Sequence, residues 1–170
     1  MKTSEFNESQ RFNPFWIWIL LILILGIWIW GVIQQLFLGI PFGTHPTSDI
    51  VLLVIGVIPV GFLILLIITK LQTFVKKDGI YLRYFPFHMK QKRIQQSEIK
   101  RYAVTEYHPI KDYGGWGIRF ALGKKKGKAY NVKGNIGMQL ELNNGKNILI
   151  GTQRPDAFKK AIDTMKKEGV

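Results

Sequence analysis

Two long apolar stretches decide the fold: FWIWILLILILGIWIWGVIQQLFL at residues 15–38 and IVLLVIGVIPVGFLILLIIT at residues 50–69. Between Arg11 and Lys70 the only formally charged side chain is that of Asp49. A helix of about 20 apolar residues crosses the hydrocarbon core of a bilayer, which is about 30 Å thick. Both stretches reach this length, and the first is longer than the apolar region of a cleaved signal peptide. The sequence therefore predicts an integral membrane protein with a retained helical hairpin.

The charge is distributed unevenly along the chain. Residues 1–69 carry 2 Lys or Arg and 3 Asp or Glu, a net charge of −1, whereas residues 70–170 carry 22 and 8, a net charge of +14. Loops rich in Lys and Arg stay on the cytoplasmic side of a membrane, and the short loop between the stretches has neither. We therefore expect a two-pass protein of the inner membrane with both termini in the cytoplasm. The predicted segments are a cytoplasmic tail (1–13), a first span (14–39), an extracytoplasmic loop (40–49), a second span (50–70) and a cytoplasmic domain (71–170).

Neither span has a buried acid, base or histidine, which argues against a transporter or a pump. Trp16, Trp18, Trp28 and Trp30 fit interfacial anchoring or packing better than a ligand cage, because indole rings favour the headgroup level. Gly56 and Gly61 in the second span would let the first helix approach closely. The hairpin is thus interpreted as an anchor.

Behind the hairpin the periodicity changes to short alternating strands. Asp78-Gly79 and Asn144-Gly145 are typical of tight hairpin turns, since glycine supplies the positive φ that such turns require. A helix follows the strands, because Pro155 and Asp156 suit a first helical turn and Phe158, Ala161, Ile162 and Met165 recur at helical spacing. The predicted strands lie near residues 72–77, 79–85, 88–95, 99–107, 116–122, 128–133, 137–142 and 146–152. The expected domain therefore has seven or eight antiparallel strands and a C-terminal amphipathic helix.

Three strings of this domain carry a family resemblance. They are DGIYLRYFPFH (78–88), IKRYAVTEYHPIKDYGGWGIRF (99–120) and YNVKGNIGMQLELNNGKNILIGTQRP (130–155). Over roughly residues 71–168 the chain resembles the bacterial pleckstrin-homology (PH)-like domains. The resemblance implies a bent sheet of about seven antiparallel strands closed by a C-terminal helix, many examples being tethered to membranes. It implies a class of module and no reaction, and the basic motif with which eukaryotic relatives read phosphoinositides is broken here at Tyr81 and Leu82.

Two basic groups are the candidate contact sites. The string GKKKGK at residues 123–128 lacks the spacing and the Ser or Thr of a phosphate-binding loop, so it is interpreted as a basic hairpin tip. The tip either contacts anionic lipid or is a solvated turn; a basic residue near an anionic leaflet contributes about 1 kcal/mol. The second group lies in HMKQKR at residues 88–93. The predicted contact residues for lipid or a partner are Lys124, Lys125, Lys126, Lys128, Lys90, Lys92 and Arg93.

Catalytic, metal and cofactor sites are not expected. The chain has no cysteine, which excludes disulfides and thiolate ligands. His88 and His108 have no carboxylate at ligand spacing, and no nucleophile motif occurs. The glycines of YGGWG at residues 113–117 most simply permit a tight loop. We expect no enzyme.

The leading hypothesis is a membrane-anchored, non-enzymatic PH-like module that binds a membrane-associated protein or anionic lipid headgroups at the cytoplasmic leaflet. A membrane-tethered nucleic-acid-binding protein is one alternative, suggested by the charge of the domain. Nucleic acid is disfavoured because the basic residues are spread through many turns. An accessory subunit of a membrane enzyme is the other alternative.

Overall fold

A computed structural model describes residues 6–12, 15–121 and 127–168 of the chain. The chain forms two compact units, one of which is built from two separate segments of the sequence. One unit combines the N-terminal segment up to Phe12 with everything from Thr69 onward, and the other lies between them. We call them the strand unit and the helical unit.

The helical unit consists of two apolar helices. Helix α1 spans Phe15–Val32 and continues as a π-helical turn over Ile33–Phe37, and α2 spans Asp49–Ile68. The two are 23 and 20 residues long, counting the π turn, and are apolar enough to cross a membrane. In the most apolar 18-residue stretch of each helix, only 11% and 17% of the residues, respectively, are buried by the rest of the protein. Their apolar surface is therefore left open to the surroundings.

Trp28 joins the two helices. Its indole Nε1 donates a hydrogen bond to the carbonyl oxygen of Leu52 over 2.9 Å. The ring lies so close to Gly56 that a Cβ there would come within 2.1 Å of it. The small residue therefore permits the helix contact, as the sequence predicted for Gly56. Gly61 has nothing within 4 Å of its Cβ position, so the same prediction is wrong for that residue.

Two sheets make up the strand unit. Sheet one has the order β1-β2-β3-β4 and is antiparallel throughout. Sheet two has the order β5-β8-β9-β7-β6. In the described residues the strands are β1 Phe6–Arg11, β2 Lys70–Lys76, β3 Gly79–Phe85, β4 Lys92–Gln95, β5 Ile99–Glu106, β6 Gly117–Phe120, β7 Lys128–Asn131, β8 Ile136–Leu142 and β9 Asn147–Gly151. A short helix α3 at Pro109–Tyr113 separates β5 from β6, and α4 spans Pro155–Glu168.

Helix α4 and both sheets share one core. Phe158, Ile162 and Met165 on α4 are fully buried in a cluster with the inward side chains of the strands. The ring of Phe6 on β1 stacks on that of Phe158 at 4.8 Å between centroids. The amphipathic helix therefore closes the strand unit, as its sequence period predicts.

The first strand pairs with the strand that follows the helical hairpin. Strands β1 and β2 are antiparallel neighbours, with Phe6 opposite Val75 and Arg11 opposite Lys70. The backbone N–H of Phe12 donates to the carbonyl oxygen of Thr69 over 3.3 Å. The whole helical unit is thus a long connection inserted between two neighbouring strands of one sheet.

Strand β1 is also fastened by polar side chains that face inward. The buried carboxylate of Glu8 accepts hydrogen bonds from Thr152 Oγ1 at 2.6 Å and from the backbone N–H of Gln153 at 2.9 Å. Gln10 Nε2 donates to the carbonyl oxygen of Gly151 over 2.7 Å. Because burial of a polar or charged group is costly unless the group is hydrogen-bonded, the two bonds accepted by Glu8 offset the cost of its burial.

The coarse prediction of two apolar helices, a strand-rich unit and a closing C-terminal helix is confirmed. Each of the eight strands predicted behind the hairpin has a counterpart, but β4 begins at Lys92 and not near residue 88. Pro86 follows β3 and has no N–H to continue a ladder, and residues 86–91 form turns and bends. The sequence assigned no strand to the N-terminal tail and no helix to Pro109–Tyr113.

The expectation that all strands run antiparallel is wrong for β7 and β9, which pair in parallel. Strands β7 and β8 run in opposite directions on either side of Gly134. Strand β9, however, forms a hairpin with β8 and lies between β8 and β7 in the sheet. A strand antiparallel to β8 in that position is necessarily parallel to β7.

The strand unit is expected to fold without the hairpin, provided that β1 is kept. Replacement of Asn13–Ile68 by the two residues Asn-Gly would connect Phe12 to Thr69 through a tight turn. A two-residue turn of this kind suits the ends of β1 and β2, which are already paired in antiparallel register. We expect a water-soluble chain that unfolds cooperatively on heating, measured by circular dichroism.

The matched comparison is a fragment of residues 72–170, which lacks β1 and the start of β2. That fragment would expose the core side of β2 and leave Thr152 and Phe158 without their partners on β1. Cooperative unfolding of the fragment at the same temperature as the joined chain would contradict a structural role for β1.

Candidate functional site

Three lysines line a groove on the strand unit. Lys92 lies on β4, Lys128 on β7, and Lys146 in the turn between β8 and β9. The groove has a volume of about 450 Å³, and its other lining residues are Phe120, Gly127, Gly145, Asn147 and Ile148. We call it the basic groove.

Tyr130 connects the lysines from the two sheets. Its ring is fully buried, and the Nζ atoms of Lys92 and Lys128 lie 5.7 and 5.2 Å from the ring centroid. Lys92 Nζ also donates to the Tyr130 hydroxyl over 3.4 Å. At these distances the Tyr130 ring attracts both ammonium groups, so two like charges lie within 6 Å of its centroid.

The strand pattern explains why these side chains meet. Lys128 and Tyr130 are two residues apart on β7, so they project from the same face of the strand. Phe120 on β6 lies opposite Lys128 in the register, and Lys128 Nζ is 5.3 Å from the Phe120 ring. Lys92 comes from the edge strand of sheet one. The groove therefore exists only where the edges of the two sheets approach each other.

His88 lies beside the groove. Its ring is 5.8 Å from that of Tyr130, and its Nδ1 is buried without a hydrogen-bond partner within the described ranges. Burial lowers the pKa of His88 below its usual value, and the charges of Lys128 and Lys92 lower it further. An imidazolium donates from both nitrogens, so an unpartnered Nδ1 also disfavours the charged form. His88 is therefore held neutral by its surroundings.

Exposed apolar side chains accompany the lysines. Phe87 and Met89 flank His88 in sequence and are 59% and 68% exposed, and Phe120 in the groove wall is 70% exposed. Large apolar side chains left open beside cations are typical of interaction surfaces. We call these three residues the apolar rim.

The structure brings together only part of the predicted contact set. Lys92 and Lys128, taken from two separate basic groups, meet at Tyr130, whereas Lys90 is exposed on the 86–91 connection and does not line the groove. Arg93 forms an ion pair with Asp78 over 3.0 Å, because neighbouring residues of a strand project to opposite faces. Lys124, Lys125 and Lys126 lie outside the described residues.

Four members of the site were missed by sequence reasoning: His88, Phe120, Tyr130 and Lys146. The available signal was the alternating pattern of two predicted strands, one with Phe120 and the other with Lys128 and Tyr130, on either side of the basic string at residues 123–128. Nothing in the sequence indicated that Lys146 would come near them, because its turn belongs to a different hairpin.

The groove can hold an anion, and its lining offers little chemistry. None of the lining residues is a carboxylate, a cysteine or a histidine. Across the described ranges, no group of three His, Cys, Asp or Glu side chains is arranged to hold a metal ion. The lining therefore offers ammonium groups and apolar side chains to a ligand.

The fold and the groove define a class: a two-sheet strand unit closed by a C-terminal helix, with a long apolar helical hairpin inserted between its first two strands. The chain belongs to DUF6141, a family of unknown function, whose sequence profile matches residues 4–167. A search of the curated proteins finds no match. The family match covers both units.

Burial is the main cause of the lowered pKa of His88, and the charge of Lys128 is expected to contribute to it. In Lys128→Gln one of the two cations that lower the pKa of His88 is removed, so the pKa should rise toward its usual value. The measurement is an NMR pH titration of the His88 ring in the full chain, with His45 and His108 replaced by Gln so that one histidine remains.

Lys133→Gln is the matched control, because this exposed lysine lies on the same stretch of chain without contacting His88. It should leave the titration of His88 unchanged. An equal rise in both variants would mean that overall charge, and not the groove, controls His88.

Proposed function

We propose that the protein is a membrane-anchored, non-enzymatic module whose basic groove binds the anionic lipid surface of the leaflet next to which the strand unit is tethered. The observation that carries this proposal is the pairing of β1 with β2, which ties both ends of a membrane-length apolar hairpin to one basic unit. Each part of the proposal has its own support.

Membrane insertion is supported by the exposure of α1 and α2. A water-soluble protein covers its apolar helices, but here most of the apolar surface has no protein against it. Apolar surface in water costs about 25 cal/mol per Å². A bilayer removes that cost, since helices satisfy their own backbone hydrogen bonds in lipid.

The strand pair supports a two-pass topology. Phe12 and Thr69 are joined by a backbone hydrogen bond, and only a few residues separate them from the start of α1 and the end of α2. Two spanning helices with these ends fixed together must enter and leave on one side. The lysines behind α2 and their absence from the loop favour the cytoplasmic side of the inner membrane.

The basic groove and apolar rim support contact with lipid. Each Lys near an anionic leaflet contributes about 1 kcal/mol, and exposed Phe and Met side chains suit insertion at headgroup depth. A duplex nucleic acid would need a longer basic track than one groove of this size. A four-stranded sheet, a second sheet and a closing helix in the strand unit support a PH-like assignment. Strand β1 and the parallel pairing of β7 with β9 depart from the expected fold of about seven antiparallel strands.

The two-pass topology can be tested by cysteine labelling, because the natural chain has no cysteine. Thr44→Cys in the loop and Lys159→Cys on α4 are both exposed positions. In sealed inside-out and right-side-out vesicles, a membrane-impermeant maleimide should label them from opposite sides, Lys159→Cys from the cytoplasmic side. Labelling of both positions from one side would contradict the proposed hairpin.

Lipid contact can be tested with the full chain in nanodiscs. A polarity-sensitive dye on Gln91→Cys, an exposed position next to the apolar rim, should shift to shorter wavelength in discs that contain phosphatidylglycerol but not in purely neutral discs. Added salt should reverse the shift, because it screens exposed charges.

The control is the same dye on Lys133→Cys, which lies away from the groove and should not respond. No response of either dye would overturn the lipid proposal, and so would an equal response in neutral discs. Competition by duplex DNA at near-physiological salt, or by an acidic protein domain at lower concentration than lipid, would favour those partners instead.

A further inference from the structure

We propose that the basic groove seats one phosphate group of a lipid headgroup between Lys92 and Lys128, and that His88 takes up a proton when the phosphate binds. This inference rests on the proposed function and deepens it. It replaces a diffuse attraction between a basic surface and a membrane with one defined ligand position and a dependence on pH.

The first argument is uncompensated charge at one point. The ammonium groups of Lys92 and Lys128 both lie within 6 Å of the Tyr130 ring centroid, and Lys146 lines the same groove. No ion pair within the described ranges involves any of the three. Two exposed lysines elsewhere on the strand unit do have carboxylate partners: Lys77 has Glu168 at 2.8 Å and Lys100 has Glu141 at 2.9 Å. The groove is therefore a place where positive charge is left available to an anion.

The second argument is the shape of the site. The cations stand over a buried aromatic ring, and Phe120 and Ile148 supply apolar walls. Lysine binds phosphate as a point charge, so two converging lysines can share its oxygens without a fixed fork geometry. The apolar walls and rim suit the glycerol and upper acyl carbons of a lipid, which a free phosphate ion lacks.

The third argument concerns the proton on His88. The charged groups that act on His88 are Lys92 from β4 and Lys128 from β7. Tyr130 is the titratable group whose ring faces His88, and Lys90 lies on the same 86–91 connection as His88. In the free site these cations oppose an imidazolium. A bound phosphate offsets their charge, so the imidazolium becomes less costly and the site takes up a proton. By linkage, the phosphate then binds more tightly as the pH falls through the range in which His88 titrates.

The experiment uses the full chain in nanodiscs with increasing phosphatidylglycerol in neutral lipid. Phosphatidylglycerol is a phosphodiester, so its own charge stays constant over the range of interest. With the dye on Gln91→Cys, Lys92→Gln combined with Lys128→Gln should raise the phosphatidylglycerol needed for a half-maximal shift by about tenfold. Lys111→Gln combined with Lys133→Gln removes the same charge at exposed sites outside the groove and should raise it by less than about threefold.

Protonation of His88 is read independently by NMR, in the full chain with His45 and His108 replaced by Gln. Phosphatidylglycerol should raise the pKa of His88 by about one unit relative to neutral lipid. His88→Gln should abolish the tightening of lipid binding that accompanies a fall in pH through the range in which His88 titrates. Soluble glycerophosphate should produce a smaller rise than the lipid, and an equal rise would assign the site to free phosphate esters.

The results separate this inference from the proposed function. A dye shift that depends on phosphatidylglycerol, together with equal effects of the two double variants and an unmoved His88 pKa, would overturn the phosphate site while leaving lipid contact intact. Absence of any dye shift in the natural groove would overturn both. A tenfold effect without proton uptake would overturn the role of His88.

Discussion

The pairing of β1 with β2 is the interaction on which the rest of the structure depends. It aligns Arg11 with Lys70 and so brings together two points of the chain that are separated by the entire helical unit. The same pairing places Phe6 against α4 and Glu8 against the connection between β9 and α4. Loss of β1 would therefore act twice, because it would open the core of the strand unit and release one end of the hairpin from the other.

The sequence predicted the parts of the fold whose signals are local. Membrane-length apolar runs, Asp-Gly and Asn-Gly turns and the apolar face of α4 each lie within a short window, and all of them appear in the structure. Strand β1 was missed because two of its three inward residues, Glu8 and Gln10, are polar like its outward residues. The strand therefore lacks the alternation of apolar and polar residues that predicts a half-buried strand. Their partners Gly151, Thr152 and Gln153 stand more than 140 residues away. A polar strand of this kind is stabilised by hydrogen bonds that no local pattern reveals.

The candidate site was likewise predicted only in part. Its basic residues were visible in the sequence, and Lys92 and Lys128 were both predicted as contacts. What the sequence did not show is that these two share one aromatic ring, because this depends on how close the edges of the two sheets come. The alternation of β4 decides between neighbours: Lys92 faces Tyr130, whereas Arg93 faces Asp78 and is neutralised there. Counting charge along the chain therefore overstates the basic surface that is free to bind.

The tether changes what the groove has to achieve. Under the proposed function, a unit joined to its anchor through both β1 and β2 is held near the membrane whether or not it binds lipid. Such linkage raises the effective concentration of a neighbouring ligand to the millimolar range. Weak affinity then suffices for occupancy, so strong attraction would add little. Selection among the lipids within reach becomes the useful property, and it requires a defined position for the phosphate more than a large total charge. A groove with two converging lysines, a neutral histidine and apolar walls meets that requirement, whereas lysines dispersed over the surface do not.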